Sequence, residues 1–279
     1  MLPTLSNGLM ISPSLMTRKP TFSRELLRIT PKEVSVLMIS KPLVSLCLAT
    51  EEIFENNLTK LILHIVQSPE ETIIVAPEVA LTGFAYDRFE EAAAFTPYAL
   101  DKLMGFLGNR LLIFTAITRL GSEIYNIAYA LSGDGVIHAQ SKVKLFPLGR
   151  EVEHFTAGDE NKIISFIHDG LKIGILICFE LRFKHLWQTL EGCDLIAIPA
   201  QWGKIRTEHF ATLTNALAVM NQCYVVASDA NNDDTSAAGG IINPFGHEQR
   251  NNGLERLSST YEQRTIASMR RYLDLGIGQ

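Results

Sequence analysis

The chain has 279 residues, 47% hydrophobic and 20% charged, with a formal net charge of −5. That composition suits a globular protein with a substantial core, which needs neither a disulfide framework nor a structural metal to hold it together. The acidic balance speaks against a nucleic-acid or anionic-membrane partner, and no apolar run approaches the roughly 20 residues of a bilayer-spanning helix.

The opening stretch, Met1 to about Pro31, differs from the rest. It carries Pro3, Pro13, Pro20 and Pro31, scattered serines and threonines, and the basic residues Arg18, Lys19, Arg24 and Arg28. It reads as an extension or poorly ordered lead-in over 1–32, followed by one domain over 33–279. Basic residues without interleaved aromatics give thin support for nucleic-acid binding.

From Glu33 the text alternates. "VSVLMIS" and "PLVSLCLA" read as strands, and "EEIFENNLTKLILHIVQ" carries a helical stripe of Ile53, Phe54, Leu58, Leu61, Ile62 and Ile65. "TIIVAPE" reads as a short buried strand and "YALDKLMGFLGN" as a helix stopped by glycine. "LLIFTAITRL" and "IYNIAYALSGDGVIHAQS" read as strands, the latter turning at Gly133-Asp134-Gly135. "KIISFIHDGLKIGILIC" reads as a second hairpin turning at Asp169-Gly170, followed by a helix from about Leu181 to Leu190. "CDLIAIPAQW" is a further strand. "TEHFATLTNALAVMNQC" places Phe210, Leu213, Leu217 and Met220 on one helical face. "YVVASDA" and "GGIINPFGH" supply strand, strand and turn, and a last helix is expected around Glu262 to Leu273. Interleaved strands, hairpins and helices make the class α/β with mixed strand directions, the sheets covered on both faces.

Four cysteines, Cys47, Cys178, Cys193 and Cys223, are spaced too widely for a zinc or CxxC pattern. No secretory leader is visible, so free thiols in a reducing cytoplasm are the expectation. Cys178 ends the apolar strand of "KIGILICFELRF". A strand-to-helix corner lifts such a residue out of the sheet and points amide N–H groups at its surroundings, where they can favour a thiolate or an oxyanion. None of the seven histidines ends an apolar strand in an obvious catalytic corner, and an acid could be the base instead where burial or a charged neighbour tunes its pKa. Glu78 follows a buried strand and a proline in "IIVAPEVALTGF". Lys142 and Lys144 leave a strand together in "QSKVKLFPLGREVEHF", and a lysine beside the thiol would lower its pKa and steady an oxyanion. Taken singly, these look equally like an ordinary buried cysteine, a strand-end carboxylate facing water and two solvated lysines.

Together they resemble a known family. Pro77-Glu78 with "LTGF", then "KVKLFP", then "CFELRF" is similar to the nitrilase superfamily of carbon–nitrogen hydrolases, and "PAQW", "NQCYVVASDAN" and "INPFG" extend the resemblance to the C-terminal region. It implies a Glu78–Lys142–Cys178 triad in that chain order and a four-layer αββα sandwich with mixed sheets. It also implies a homodimer or multiples of it, and no metal or organic cofactor. It further implies a supporting glutamate, with Glu151 preferred over Glu153, and an oxyanion donor at the Phe179 backbone. A substrate pocket is expected around Phe84, Tyr86, Phe179 and Trp202. The implied reaction is hydrolysis of a non-peptide C–N bond (amide, N-carbamoyl or nitrile) through a thioester on Cys178. The chain departs from the pattern at Lys144, where the family has histidine, at Gly239 for serine and at Glu180 for aspartate. Its tail after Gly246 shows no clear final strand. Two rivals stand beside this reading. One is an isochorismatase-like cysteine hydrolase, which needs a parallel Rossmann-like sheet. The other is a non-catalytic interaction module of the nitrilase fold, to be separated from an enzyme by selective alkylation of a low-pKa Cys178 near neutral pH.

Overall fold

The computed structural model describes residues 38–277. The lead-in over 1–32 and most of "VSVLMIS" lie outside the described residues. In chain order, β1 (Ser40–Leu48) is followed by α1 (Phe54–Val66), β2 (Ile73–Val75), α2 (Phe89–Leu107), β3 (Leu111–Leu120), β4 (Glu123–Ser132) and β5 (Gly135–Ser141). A short α3 (Glu151–His154) precedes β6 (Phe166–His168), β7 (Leu171–Ile175), α4 (Lys184–Thr189), β8 (Leu195–Pro199), α5 (Thr207–Met220) and β9 (Tyr224–Ala230). Then come β10 (Gly240–Ile242), β11 (Glu248–Arg250), β12 (Arg256–Glu262) and α6 (Gln263–Tyr272).

The strands form two mixed sheets. One runs β12-β1-β2-β3-β4-β5, with β1, β2 and β3 parallel and the rest antiparallel. The other runs β11-β10-β9-β8-β7-β6, with β7, β8 and β9 parallel. They meet where β1 pairs β9 through Cys47 with Asp229 and Leu48 with Ala230. Mixed strand directions rule out the parallel sheet of the isochorismatase-like alternative.

The period-2 pleat assigns each strand's side chains to two layers. Leu43, Ile73, Val75, Leu111 and Ile113 face inward and share one core with Ile173, Ile175, Leu195 and Ala197, which lie on a common face of the second sheet. Their neighbours Val44, Leu46, Ile74, Leu112 and Phe114 face outward onto Leu58, Leu61 and Ile65 of α1 and Ala99, Leu103 and Leu107 of α2. Phe210 and Leu217 of α5 cover the far side of the second sheet. The layers are therefore helix, sheet, sheet, helix, which is the expected αββα sandwich. Burial of each Leu, Ile or Phe side chain contributes ~1.5–3 kcal/mol.

Four expectations need correction. The helix expected from Tyr98 begins at Phe89 and runs through Pro97. The alanines of "EEAAAF" are strong helix formers, and burial of Ala92, Ala93, Thr96 and Ala99 outweighs the one lost donor. The helix expected over Leu181–Leu190 is split into a 3-10 turn, Cys178–Arg182, and α4, because Phe183 is extended at φ −106°, ψ 98°. Met220, assigned to the buried face of α5, is 60% exposed at the helix end. A final strand does exist: β12 pairs antiparallel with β1 from Ser40–Glu262 to Leu46–Arg256. Its serine- and threonine-rich sequence, "RLSSTYE", is half solvated and so lacks the apolar run that marks the other strands.

Candidate active site

Three strand ends meet at one side of the sandwich. Glu78 follows β2 through Ala76 and Pro77. Its own N–H donates to Ala200 O beyond β8 at 3.2 Å, and the next amide, Val79 N, donates to Thr115 Oγ1 of β3 at 2.8 Å. Lys142 comes one residue after β5, its N–H on Asn126 O of β4 and its carbonyl accepting Gly158 N–H, both at 2.8 Å. Cys178 begins its 3-10 turn with φ +44°, a left-handed conformation that costs a non-glycine residue on the order of 1–2 kcal/mol. That is the sharp corner the sequence suggested.

Glu78 and Lys142 are fully buried, Cys178 is 6% exposed and Glu151 2% exposed. Lys142 Nζ donates to Glu78 Oε1 and to Glu151 Oε1, each at 2.7 Å. Glu78 Oε1 also accepts Asn126 Nδ2 at 2.8 Å, and its Oε2 accepts the Gln201 N–H at 3.2 Å. Glu151 Oε2 takes the Phe146 N–H at 3.2 Å. Each carboxylate is thus held in one orientation, as a buried charge must be if it is to be tolerated. Glu153 pairs instead with Arg150 on the surface, at 2.8 Å, so of the two glutamates weighed it is Glu151 that reaches the lysine.

The charges set the resting protonation. Burial works against the Lys142 charge, yet Glu78 and Glu151 overcome it and hold the ammonium above its ordinary pKa. Burial raises Glu151 to about 7 even though Lys142 pulls it down. Burial also raises the Cys178 thiol well above its usual value, and the Glu78 charge adds to that, against the lowering pull of Lys142. The low-pKa thiol expected from the sequence is therefore not what this arrangement holds. One ammonium faces two carboxylates, so the local charge disfavours a thiolate at rest and favours the protonated thiol at Cys178.

Beside Cys178 lies a small concave pocket walled by Phe146, Phe179, Arg182, Gln201, Trp202 and Arg206. Phe179 and Trp202, both expected near a pocket, are among these walls. The Phe179 amide belongs to the first turn of the 3-10 helix, where N–H groups have no acceptor within the helix. Trp202 is 3% exposed, with Nε1–H on Arg206 O at 2.9 Å. Phe84 and Tyr86 do not line this pocket. Tyr86 donates its hydroxyl to Gly149 O at 2.8 Å and stacks on His154 at 4.0 Å, with Phe84 packed 5.5 Å from it. The two rings brace the segment that carries Glu151. Lys144 faces outward, paired with Glu160.

Sequence reasoning passes over Asn126, Gln201, Arg182 and Arg206 as site residues. Asn126 has a signal: an amide inside the apolar strand "IYNIAYAL" needs a buried partner. Arg206 has none, because only folding brings its guanidinium 5.1 Å above the Phe146 ring. Gln201 Oε1 and Asn126 Oδ1 are buried without a hydrogen-bond partner among the described residues.

Known proteins are similar to this chain in sequence and in fold. A 2-oxoglutaramate amidase of Bacillus subtilis (strain 168) is 30% identical over 201 residues, 68% of this chain and 76% of the relative. The omega-amidase YafV of Escherichia coli (strain K12) is 27% identical over 211 residues, 72% and 80% of the two chains. The solved structure of XC1258 from Xanthomonas campestris, a CN-hydrolase superfamily protein with an arsenic adduct in its active site, superposes with a TM-score of 0.73. That superposition is at 20% identity and covers 85% of this chain and 96% of the other. The sequence profile described as Carbon-nitrogen hydrolase spans residues 50–253, a stretch that contains Glu78, Lys142 and Cys178, and the chain belongs to the carbon-nitrogen hydrolase family.

Proposed function

We propose that the protein is an amidase that cleaves the terminal C–N bond of a small amide bearing an anionic group, through a thioester on Cys178. The observation that carries this reading is the fully buried Lys142 ammonium, bonded at 2.7 Å to both Glu78 and Glu151, beside the strained Cys178. Glu78 accepts the thiol proton as sulfur attacks the amide carbon. The carbonyl π electrons move onto oxygen, and Lys142 and the Phe179 N–H stabilise that oxyanion. The oxyanion re-forms the carbonyl, the C–N bond breaks, and the nitrogen takes the proton from Glu78 and leaves as ammonia. Water then attacks the thioester and gives its proton to Glu78. The C–S bond breaks, the sulfur regains that proton, and a carboxylic acid is released. Glu151 holds Lys142 in place throughout.

The anionic end of the substrate is read from the pocket. Arg182 stacks 4.9 Å over Trp202 and contacts His209 Nδ1 at 3.1 Å, and Arg206 lies over Phe146. Neither takes part in an ion pair among the described residues, which leaves guanidinium donors for a carboxylate. The unpartnered Gln201 carbonyl favours a substrate with amide N–H donors over a nitrile, which has none. The amidase activities for which the B. subtilis and E. coli relatives are named support the same class. N-carbamoyl acids stay within the reading as substrates of like chemistry.

Free, buried Cys47, Cys193 and Cys223 fit a reducing cytoplasm, and no helix of the described residues is long and apolar enough to cross a membrane. The homodimer implied by the resemblance belongs to this reading, to be checked by light scattering. Ammonia release from a panel of ω-amides, N-carbamoyl acids, nitriles and neutral amides tests the assignment. Cys178→Ala and Glu78→Gln should abolish turnover, while Arg206→Ala should raise KM about 10- to 100-fold for anionic amides only. Wild-type turnover by Cys178→Ala would sink the reading.

A further inference from the structure

Glu180 has no role in the chemistry above, yet it touches both halves of the site. It is fully buried two residues after the nucleophile. Its Oε1 accepts the Val143 N–H at 2.6 Å, and its Oε2 accepts the Ile177 N–H at 2.7 Å. Val143 follows Lys142, and Ile177 precedes Cys178. Each oxygen therefore holds the residue next to one reacting group.

The bond to Ile177 alone would be ordinary helix-end capping, a side chain reaching back three residues to the first free amide. The bond to Val143 spans 37 residues and has no part in starting the turn. Together they bridge the lysine-bearing segment and the nucleophile corner. Burial raises the Glu180 carboxyl to about 7, partly offset by those two amides. A carboxylate so placed is costly, and an apolar side chain would fill the space but orphan both N–H groups. Lys142 is then fixed along its main chain by three successive bonds: its own N–H on Asn126, its carbonyl on Gly158 and the next N–H on Glu180.

We infer that Glu180 is a positioning residue that locks the Lys142 segment to the Cys178 corner and so fixes where the ammonium stands relative to the sulfur. This rests on the thioester reading given above. A side-chain amide cannot replace the clamp, because Glu180→Gln sets an NH₂ donor against one of the two N–H donors.

The full-length Glu180→Gln protein is assayed with glutaramate, and Cys178 alkylation by iodoacetamide is followed by mass spectrometry. A displacement on the order of 1 Å costs roughly 10²-fold, so kcat should fall at least 30-fold with KM within 3-fold, and alkylation should slow at least 10-fold. Glu180→Asp, which keeps both acceptors on a shorter stem, should recover both rates in part, to above those of Glu180→Gln. A lowered melting temperature with wild-type kcat and alkylation in the folded protein would mean a purely structural role and would overturn the inference. Amide hydrogen exchange on the wild-type protein tests the clamp even where the Gln variant does not fold. The Val143 and Ile177 amides should exchange at least about 100-fold more slowly than exposed loop amides, and loop-like exchange at either would overturn it. Cys178→Ala run in parallel separates the two failures. If that variant is dead while Glu180→Gln is unimpaired, only the clamp fails; if Cys178→Ala is active, the thioester reading fails.

Discussion

Replacing Lys142 with methionine keeps the length of the side chain and deletes its charge. In the wild-type protein the ammonium bonds two buried carboxylates at 2.7 Å each. Breaking a buried ion pair by removing one partner costs about 3–5 kcal/mol, because the remaining charge is uncompensated. For a domain of this size that corresponds to a melting temperature lower by roughly 6–20 °C. The loss has a pH signature. Glu151 already stands at about 7 through burial, with Lys142 pulling it down, so without Lys142 it rises further. A carboxyl whose folded pKa lies above its unfolded value contributes most below the unfolded pKa and loses stability as pH rises through the folded one. The wild-type contribution from Glu151 is therefore spent by about pH 7, while the variant goes on losing stability above it. The deficit should widen from pH 7 to 9 by up to about 1.4 kcal/mol per pH unit. Removing an oxyanion donor also costs about 10²–10³ in rate. Thermal melts at pH 6, 7, 8 and 9, with ammonia release at each, measure both effects. A variant with a wild-type melting temperature at pH 8 and wild-type turnover would refute the reasoning.

Further outcomes follow from the same contacts. Glu151→Gln should lower kcat by at least about 30-fold, since a neutral amide holds Lys142 less firmly, whereas Glu153→Gln on the surface should leave kcat unchanged; equal effects would contradict the geometry. Asp229 accepts the Trp202 and Ala230 N–H at 2.8 and 2.9 Å and the Ser236 hydroxyl, and burial raises it to about 7. Its folded pKa exceeds the ordinary aspartate value, so it withdraws stability between about pH 4 and 7. Urea unfolding of Asp229→Asn should show a flatter pH dependence in that window than wild type. Gly158 lies so close to the end of β5 that a Cβ would sit 2.7 Å from Ser141 O. Gly158→Ala should destabilise by ~1–3 kcal/mol and reduce kcat, because Lys142 follows the displaced residue; unchanged melting would show that the contact yields freely.

Much of the fold is legible in the sequence because period-2 apolar runs and Asp-Gly turns specify strands and hairpins locally. β3 has the bounds of its apolar run, and both hairpins turn where Gly133-Asp134 and Asp169-Gly170 place them. The thiol corner is legible as an apolar strand that stops at a cysteine. What sequence reasoning misses is decided by tertiary contact. Pro97 passes through a helix whose alanine face is buried, and β12 is half solvated, so neither carries its own pattern. The thiol's protonation also escapes it, because that depends on how many carboxylates surround one lysine. Glu151 and Glu153 belong to the same short helix, and only folding shows which reaches Lys142. Phe84 and Tyr86 are aromatic and close in sequence to Glu78, yet they pack behind the Glu151 segment instead of against the pocket.

The central claim is that the bond cleaved passes through sulfur. Acid-quenched intact mass spectrometry during turnover of an ω-amide, with peptide mapping, tests it most directly. The account predicts a population heavier by the acyl group, confined to Cys178 and absent from Cys178→Ala. Steady turnover with no such adduct, together with an active Cys178→Ala protein, would contradict it.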